Sequence, residues 1–350
     1  MTRSLRSLLL ALLACGLAAG ALAAPAGAFQ IGIQDDNAFV SNSPFGRAVA
    51  FDRARRMGAT YLRINLVWAG YASTGYGPYD AAVDEARRHG MTVQLTVTGN
   101  PRWTNGHGLV GYRYPNVGAY ASWIGRVAAH FHGRVRYYSI WNEPNLNDYL
   151  APQRVGRRWV GPLLYGRLFR AAYRAVKRGD ARAQVLIGEM APAGKPLEFL
   201  AQAARGGLVA DGWAQHAYQF VNVPPSRRTG YSGAISRVFE MKARLRALAR
   251  RHVLRTRRGG PLPIFFTEFG YPRPGAYYGF FSEARRARYA LQAFRLARRA
   301  GVRVLVWYQL YTHPGRTRSQ LWDTGLIGFD GRASLVYRRL LGARRSLAGR

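Results

Sequence analysis

Cysteine is all but missing from this chain. Of 350 residues one is cysteine, Cys15, and it lies in an apolar N-terminal stretch. Downstream of it neither a disulfide framework nor thiolate chemistry is on offer. Lysine is scarce as well: Lys177, Lys195 and Lys242 are the only three among 52 cations. Acidic residues number 17, which leaves a formal charge of +35 carried almost wholly by arginine. Beyond the N-terminus no apolar run is long enough to cross a bilayer. Neither G-x-S-x-G nor H-E-x-x-H occurs, so the nucleophile elbow and the zinc-protease helix are both excluded.

The N-terminus reads as a processing signal. Arg3 and Arg6 precede an apolar run from Leu8 to Leu22, and Ala21-Leu22-Ala23 offers small residues at cleavage spacing. A secretory signal peptide over residues 1–24, cut near Ala23 or Ala26, is the expectation, and with it a secreted protein. A lipoprotein anchored through Cys15 is the alternative, because Leu12-Leu13-Ala14-Cys15 loosely resembles a lipobox; the apolar run continuing past Cys15 ranks it second. The arginines are spread along the chain and fall largely on polar helix faces, which fits a solvated outer surface. They also permit electrostatic association with an anionic cell-surface polymer. No nucleic-acid motif accompanies them, and no nucleic-acid partner is expected.

From residue 29 to 345 a strand-then-helix unit recurs about eight times. Candidate strands are 29–34, 60–67, 91–98, 135–141, 184–189, 211–217, 262–268 and 302–308, short and apolar as parallel strands covered on both faces should be. Helices are expected at 44–57, 80–89, 116–131, 162–178, 196–205, 232–251, 282–299 and 332–345. In the sixth, Ile235, Val238, Phe239, Leu245 and Leu248 form the apolar side; in the seventh, Ala287, Ala290, Leu291, Phe294 and Ala297 do. Gly58, Gly90, Gly133, Gly179 and Gly301 follow helices, as left-handed caps would. Helix-to-strand links are tight, whereas strand-to-helix links are long and aromatic. Eight such units with elaborated loops at one end predict a single-domain (β/α)8 TIM barrel whose site lies at the C-terminal face of the strands.

Two glutamates close strands at that face. Glu143 stands in Trp141-Asn142-Glu143-Pro144 after the fourth, and Glu268 in Phe266-Thr267-Glu268-Phe269-Gly270 at the seventh. Paired carboxyls across a barrel mouth are the apparatus of glycosidic bond cleavage. With these motifs the chain resembles the clan A retaining glycoside hydrolases, the 4/7 superfamily, closest to family 5 cellulase-type and family 39-type members. The likeness runs over roughly residues 30–340. It implies Glu143 as acid/base, Glu268 as nucleophile, and Asn142 as a ligand of the sugar 2-hydroxyl. Arg63, in Leu62-Arg63-Ile64-Asn65, matches the arginine beside the nucleophile. His216 and Tyr218 match the His-x-Tyr pair, Tyr218 donating to Glu268, and Trp307 matches the tryptophan platform under the reacting sugar. The histidine many family 5 members carry after strand three is replaced here by Thr98-Gly99-Asn100-Pro101-Arg102-Trp103, so Asn100 or Trp103 is expected in that part of the site.

Other readings stand beside these. Arg63 could pair with a carboxylate inside the barrel, His216 could be a satisfied core histidine, and Trp307 could be barrel packing. Glu189 at the end of strand five reads as a structural or substrate contact, and Asp35 and Asp36 share that ambiguity. Trp68, Trp103, Tyr277, Tyr278 and Trp322 lie in mouth loops, divided in some way between sugar subsites and loop packing. Gly106-His107-Gly108-Leu109-Val110-Gly111 matches a dinucleotide pattern but opens no helix. His130 and His132 suit a helix C-terminus better than a metal. The expected activity is cofactor-free, metal-free hydrolysis of O-glycosyl bonds in a poly- or oligosaccharide. A transglycosylase using the same residues, and a barrel binding glycan or polyanion without cleavage, are the alternatives.

Overall fold

Alternation along each strand decides what the barrel holds. The computed structural model describes residues 28–70, 75–106, 111–220, 222–279, 282–312 and 322–348; the segment read as a signal peptide, Cys15 included, lies outside them. Eight parallel strands close in sequence order. They are β1 (Gln30–Gln34), β2 (Tyr61–Val67), β3 (Thr92–Thr98), β4 (Tyr137–Ile140), β5 (Gln184–Met190), β6 (Gly212–His216), β7 (Ile264–Phe269) and β8 (Val304–Tyr308). Around them lie α1 (Arg47–Arg56), α2 (Gly77–Arg88), α3 (Val117–His130), α4 (Gly161–Gly179), α5 (Pro196–Ala203), α6 (Val238–Arg250), α7 (Glu283–Arg299) and α8 (Leu335–Ala348). This is the (β/α)8 barrel. Sequence did not foretell the short helix Asp36–Phe39, the hairpin 154–159 or the small ladder joining Leu208–Val209 to Leu254–Arg255.

On β3, Val93, Leu95 and Val97 face the helices, and Gln94, Thr96 and Thr98 face inward. All six are buried. The interior is therefore layered by depth. Its lower layer is apolar: Tyr61, Leu186, Ala214, Phe265, Val304 and Val306 pack together, with Tyr137 against them. Above that plug the inward side chains turn polar: Gln34, Arg63, Gln94, Thr96, Glu189 and His216, each at most 1% exposed.

Two strands break the period of two where it matters. The pairing of β7 with β6 and β8 slips after Phe266, so one extra residue lies on β7. The pairing of β5 with β6 slips after Gly188. Bulges re-aim the side chains that follow them. Hence Phe265 and Glu268, three apart, both point into the barrel, as do Leu186 and Glu189.

Helix starts follow the local chemistry. Asn116 caps α3 by accepting from the Ala119 N–H at 2.9 Å, and Ser282 caps α7 through Arg285. Proline opens α2, α4 and α5. Two expectations need correction. Phe239 belongs to the exposed side of α6, and Met241 takes its place in the buried stripe. Gly179 is helical rather than a left-handed cap; a β-carbon there would meet the Gly125 carbonyl at 2.6 Å, so its smallness serves the close crossing of α3 and α4.

Candidate active site

Arg63 is the hub. It rises from the inner face of β2 and is fully buried. Its Nε donates to both Glu189 oxygens at 3.0 Å, Nη1 to Glu268 Oε1 at 2.8 Å and Nη2 to Asn142 Oδ1 at 3.0 Å. Gln34 accepts as well. Glu189 also accepts from Gln94 and, at 3.0 Å, from Thr96. A buried guanidinium is tolerable only when its donors and charge are met this fully. Burial would lower the Arg63 pKa, but Glu189 and Glu268 carry it upward. Burial works against the Glu189 charge too; Arg63 and His216 outweigh it and hold that carboxylate down at about 2.

Glu143 is placed by a turn under strain. Trp141 and Glu143 have φ of 71° and 41°, in the left-handed region that costs a non-glycine residue on the order of 1–3 kcal/mol. Backbone bonds pin it: Trp141 N–H donates to Val97 at 2.9 Å, Glu143 N–H to the Glu189 carbonyl at 2.9 Å, and Leu146 N–H to the Glu143 carbonyl at 3.0 Å. The result aims Glu143 at His216, whose Nδ1 lies 2.8 Å from Oε1. The same nitrogen is 3.4 Å from Glu268 Oε2, and Nε2 is 3.5 Å from Glu189 Oε2.

Three carboxylates thus surround one imidazole. Burial would lower its pKa, yet Glu268, Glu143 and Glu189 raise it to about 9. Glu268 receives Arg63 and, at 3.0 Å, the Tyr218 hydroxyl. Both donors favour its ionised form. Even so, burial is the largest influence and raises the Glu268 pKa; His216 and Arg63 oppose it, and Glu143 and Glu189 add to it. Glu143 and Glu268 keep side-chain exposures of 13% each, while His216, Glu189 and Arg63 have none. Water and ligand therefore reach the two outer carboxylates alone of this set.

The structure gathers Arg63, Asn142, Glu143, His216, Tyr218 and Glu268 into one network. Trp307 is not part of it. β8 pairs with β1 without a slip, so Val304, Val306 and Tyr308 face inward and Trp307 faces the helices. There it is fully buried: it lies parallel to Phe294, donates to the Thr324 carbonyl at 2.9 Å and sits 5.7 Å from the Arg286 guanidinium. As placed it offers no face to a sugar. Tyr308 holds the inward position, where burial and Glu268 push its phenol up.

The two candidates after β3 separate. Asn100 is buried, and its backbone bridges to Gly111, closing the loop. Trp103 is 73% exposed and stands edge-on to Trp68, which stacks on buried Trp123. Trp322 packs edge-on to Tyr218 and beside Tyr278. Asp35 caps the short helix and accepts from Tyr311 N–H, and Asp36 takes both amides of Asn65; both tie β1 to its surroundings. His130 pairs with Asp80. The dinucleotide-like run has residues 107–110 outside the described set. Glu189, read from the sequence as a structural or substrate contact, makes the structural one. Its signal was its place, a lone carboxylate closing an apolar strand as Glu268 does. Among the described residues no group of three or more His, Cys, Asp or Glu is arranged to hold a metal.

No protein-family model matches the chain, and no curated protein does. Solved structures do match. A family 39 glycoside hydrolase from Bacteroides cellulosilyticus WH2 superposes with a TM-score of 0.72 at 17% identity, over 91% of this chain and 64% of that one. The fold is similar to the barrels of family 39 and family 5 glycoside hydrolases. A monomeric beta-xylosidase from Caulobacter crescentus CB15 gives 0.63 at 17% identity, over 89% and 67%. A family 5 subfamily 18 protein from Streptomyces cattleya, in complex with Manb1-4GlcNAc, gives 0.65 at 18%, over 91% and 80%. This chain spans under two thirds of the first neighbour's length. At these identities the likeness is one of fold.

Proposed function

We propose that this protein hydrolyses O-glycosidic bonds of an oligo- or polysaccharide with retention of configuration. One observation carries the reading. Glu143 Oε1 and Glu268 Oε2 lie 2.8 Å and 3.4 Å from the same nitrogen, so they are no more than about 6 Å apart, under the ~6.5–9.5 Å of inverting pairs and compatible with the ~5–5.5 Å of retaining ones. Glu143 protonates the leaving oxygen as Glu268 attacks the anomeric carbon. The bond electrons leave with the departing sugar, and water, deprotonated by Glu143, then cleaves the glycosyl-enzyme. Arg63 and Tyr218 steady Glu268. Asn142, its oxygen held by Arg63, has its amide NH2 left to donate to a sugar hydroxyl. The carbohydrate-bound neighbour supports a sugar as ligand, and the N-terminal run supports export. The test is a panel of aryl glycosides and polysaccharides followed by NMR of the first anomer formed. Inverted product, or turnover unchanged in Glu268→Gln, would overturn the assignment.

A second reading rests on a different feature. Near the ends of α1 to α4, cations meet carboxylates: Arg56 with Asp52, Arg88 with Glu85, Arg134 with Asp80 and Asp84, Lys177 with Asp211. From Met241 to Thr267 and from Ala284 to Trp322 there is no acidic residue at all. Arg250, Arg251, Arg257, Arg258, Arg298 and Arg299 are exposed there, at the barrel end opposite the mouth. That sector suits an anionic polymer. Retention on such a polymer that survives moderate salt, without activity on any glycoside, would favour polyanion binding as the sole role.

A further inference from the structure

Glu189 is the one buried acid of the cluster that the reaction above leaves without a task. It is out of solvent's reach and makes no contact a substrate could share. Its oxygens are turned to Arg63 on β2, to Gln94 and Thr96 on β3, and to Nε2 of His216 on β6. His216 faces Glu143 from the turn after β4, Glu268 from β7 and Glu189 from β5; Arg63 is the neighbouring cation, and the Tyr218 phenol donates to Glu268. Tyr61 from β2 and Tyr165 from α4 feel the Glu189 charge, Tyr149 after β4 feels those of Glu143 and Glu268, and Tyr308 on β8 feels that of Glu268.

Consider where the imidazole hydrogens can sit. Nε2 is buried and makes no hydrogen bond, and its nearest charged neighbour is Glu189 Oε2 at 3.5 Å; if it lacked hydrogen, its lone pair would lie against that carboxylate, which is repulsive. With hydrogen on Nε2 the contact is attractive. The ring then has two states open to it. Either Nδ1 also carries hydrogen and donates to an ionised Glu143, or Nδ1 is bare and accepts from a protonated Glu143. The 2.8 Å separation fits both. The two states differ only by one proton moved along that hydrogen bond.

We propose that Glu189 is a positioning residue that fixes hydrogen on Nε2 of His216, so that the proton Glu143 donates to the leaving oxygen is one it shares with Nδ1 of the same ring. A carboxylate that holds an imidazole in one tautomer, leaving the other nitrogen for chemistry, is the logic of a catalytic triad turned to a glutamate acid. The proton count closes over the cycle. The Glu143–His216 pair gives one proton to the departing sugar and regains one from the water that cleaves the intermediate. The catalytic part of this inference rests on the hydrolase reading; the tautomer does not.

The experiment is nitrogen-15 NMR of ring-labelled histidine in the full chain, with Glu189→Gln and Glu189→Leu variants. In the native protein Nε2 keeps its hydrogen throughout the titration, and Nδ1 is the nitrogen that changes, with a midpoint well above that of a free imidazole. Glu189→Gln retains an acceptor for Nε2 but not the charge, so the tautomer stays and the midpoint falls. Glu189→Leu mixes the tautomers if it folds. In parallel the alkaline limb of kcat/KM moves to lower pH in Glu189→Gln, with a loss at pH 8 on the order of 10-fold, the factor that one unit of pKa makes, and with KM nearly unchanged. Glu189→Asp restores part of it. A native His216 that gives up the Nε2 hydrogen first, or a midpoint unmoved in Glu189→Gln, would overturn the proposal. The NMR readouts exist even if no glycoside is cleaved, so failure of the hydrolase reading would be seen separately.

Discussion

The two ends of the barrel use charge in opposite ways. At the mouth, Arg63 and His216 face Glu143, Glu189 and Glu268, and every charge has a named partner within 3.5 Å. At the other end, beneath α6 and α7, arginines stand in water with no acid in their stretches of chain. Buried charge must be matched atom by atom, because an unpaired ion out of solvent is costly. Exposed charge is screened and needs no partner. Pairing density therefore marks the proposed site more sharply than charge density does.

Mutations can break that contrast in order of severity. On the proposed mechanism Glu268→Gln removes the nucleophile and should lower kcat by three or more powers of ten, roughly 4 kcal/mol of transition-state stabilisation, with the circular dichroism spectrum unchanged. Glu143→Ala should slow substrates with poor leaving groups far more than activated aryl glycosides. Azide should restore part of the rate and leave a glycosyl azide detectable by mass spectrometry. For stability, Arg63→Met strands Glu189 without its cation and should cost about 3–5 kcal/mol in urea denaturation, whereas Arg257→Gln at the opposite end should stay within about 0.5 kcal/mol. A comparable loss at both sites would erase the distinction.

The contrast also predicts a pH dependence. Glu189 falls from 4.5 to about 2 on folding, so its contribution is present above 4.5 and is lost as pH drops towards 2. His216 rises from 6.5 to about 9, so its contribution is complete below 6.5 and is lost as pH climbs through 9. Glu268, raised by burial, has the opposite sign to Glu189 and pulls the optimum towards acid. The melting temperature should therefore peak between 4.5 and 6.5, and the acid limb of kcat should lie above the 4.5 of an unburied glutamate. The smallest effect belongs to the arginine end. Arg250→Gln with Arg251→Gln should shorten retention on a polyphosphate column while leaving Tm and turnover alone.

What was legible in the sequence was what leaves a local mark. The eight units show in apolar runs and tight glycine links, and β3 shows its inward face because Gln94, Thr96 and Thr98 alternate with apolar residues. β8 offers no such mark. Val302 to Tyr308 is apolar apart from Arg303, so nothing in the string says which parity faces in, and one step of parity moves a side chain across the sheet. Trp307 was misplaced for that reason. Bulges are equally silent: the slips after Phe266 and Gly188 that turn Glu268 and Glu189 inward belong to pairing between strands. The burial that raises Glu268 arises only when residues far apart in the chain close over it.

The apolar plug beneath the network has one more consequence. Tyr61, Leu186, Phe265 and Val304 seal the barrel floor, so traffic is one-way in, same way out. On the retaining reading, the water that frees the bound sugar has to enter by the opening through which the first fragment is leaving. How tightly that fragment lingers at the rim then sets whether water or a second sugar arrives first, and with it the balance between shortening chains and lengthening them.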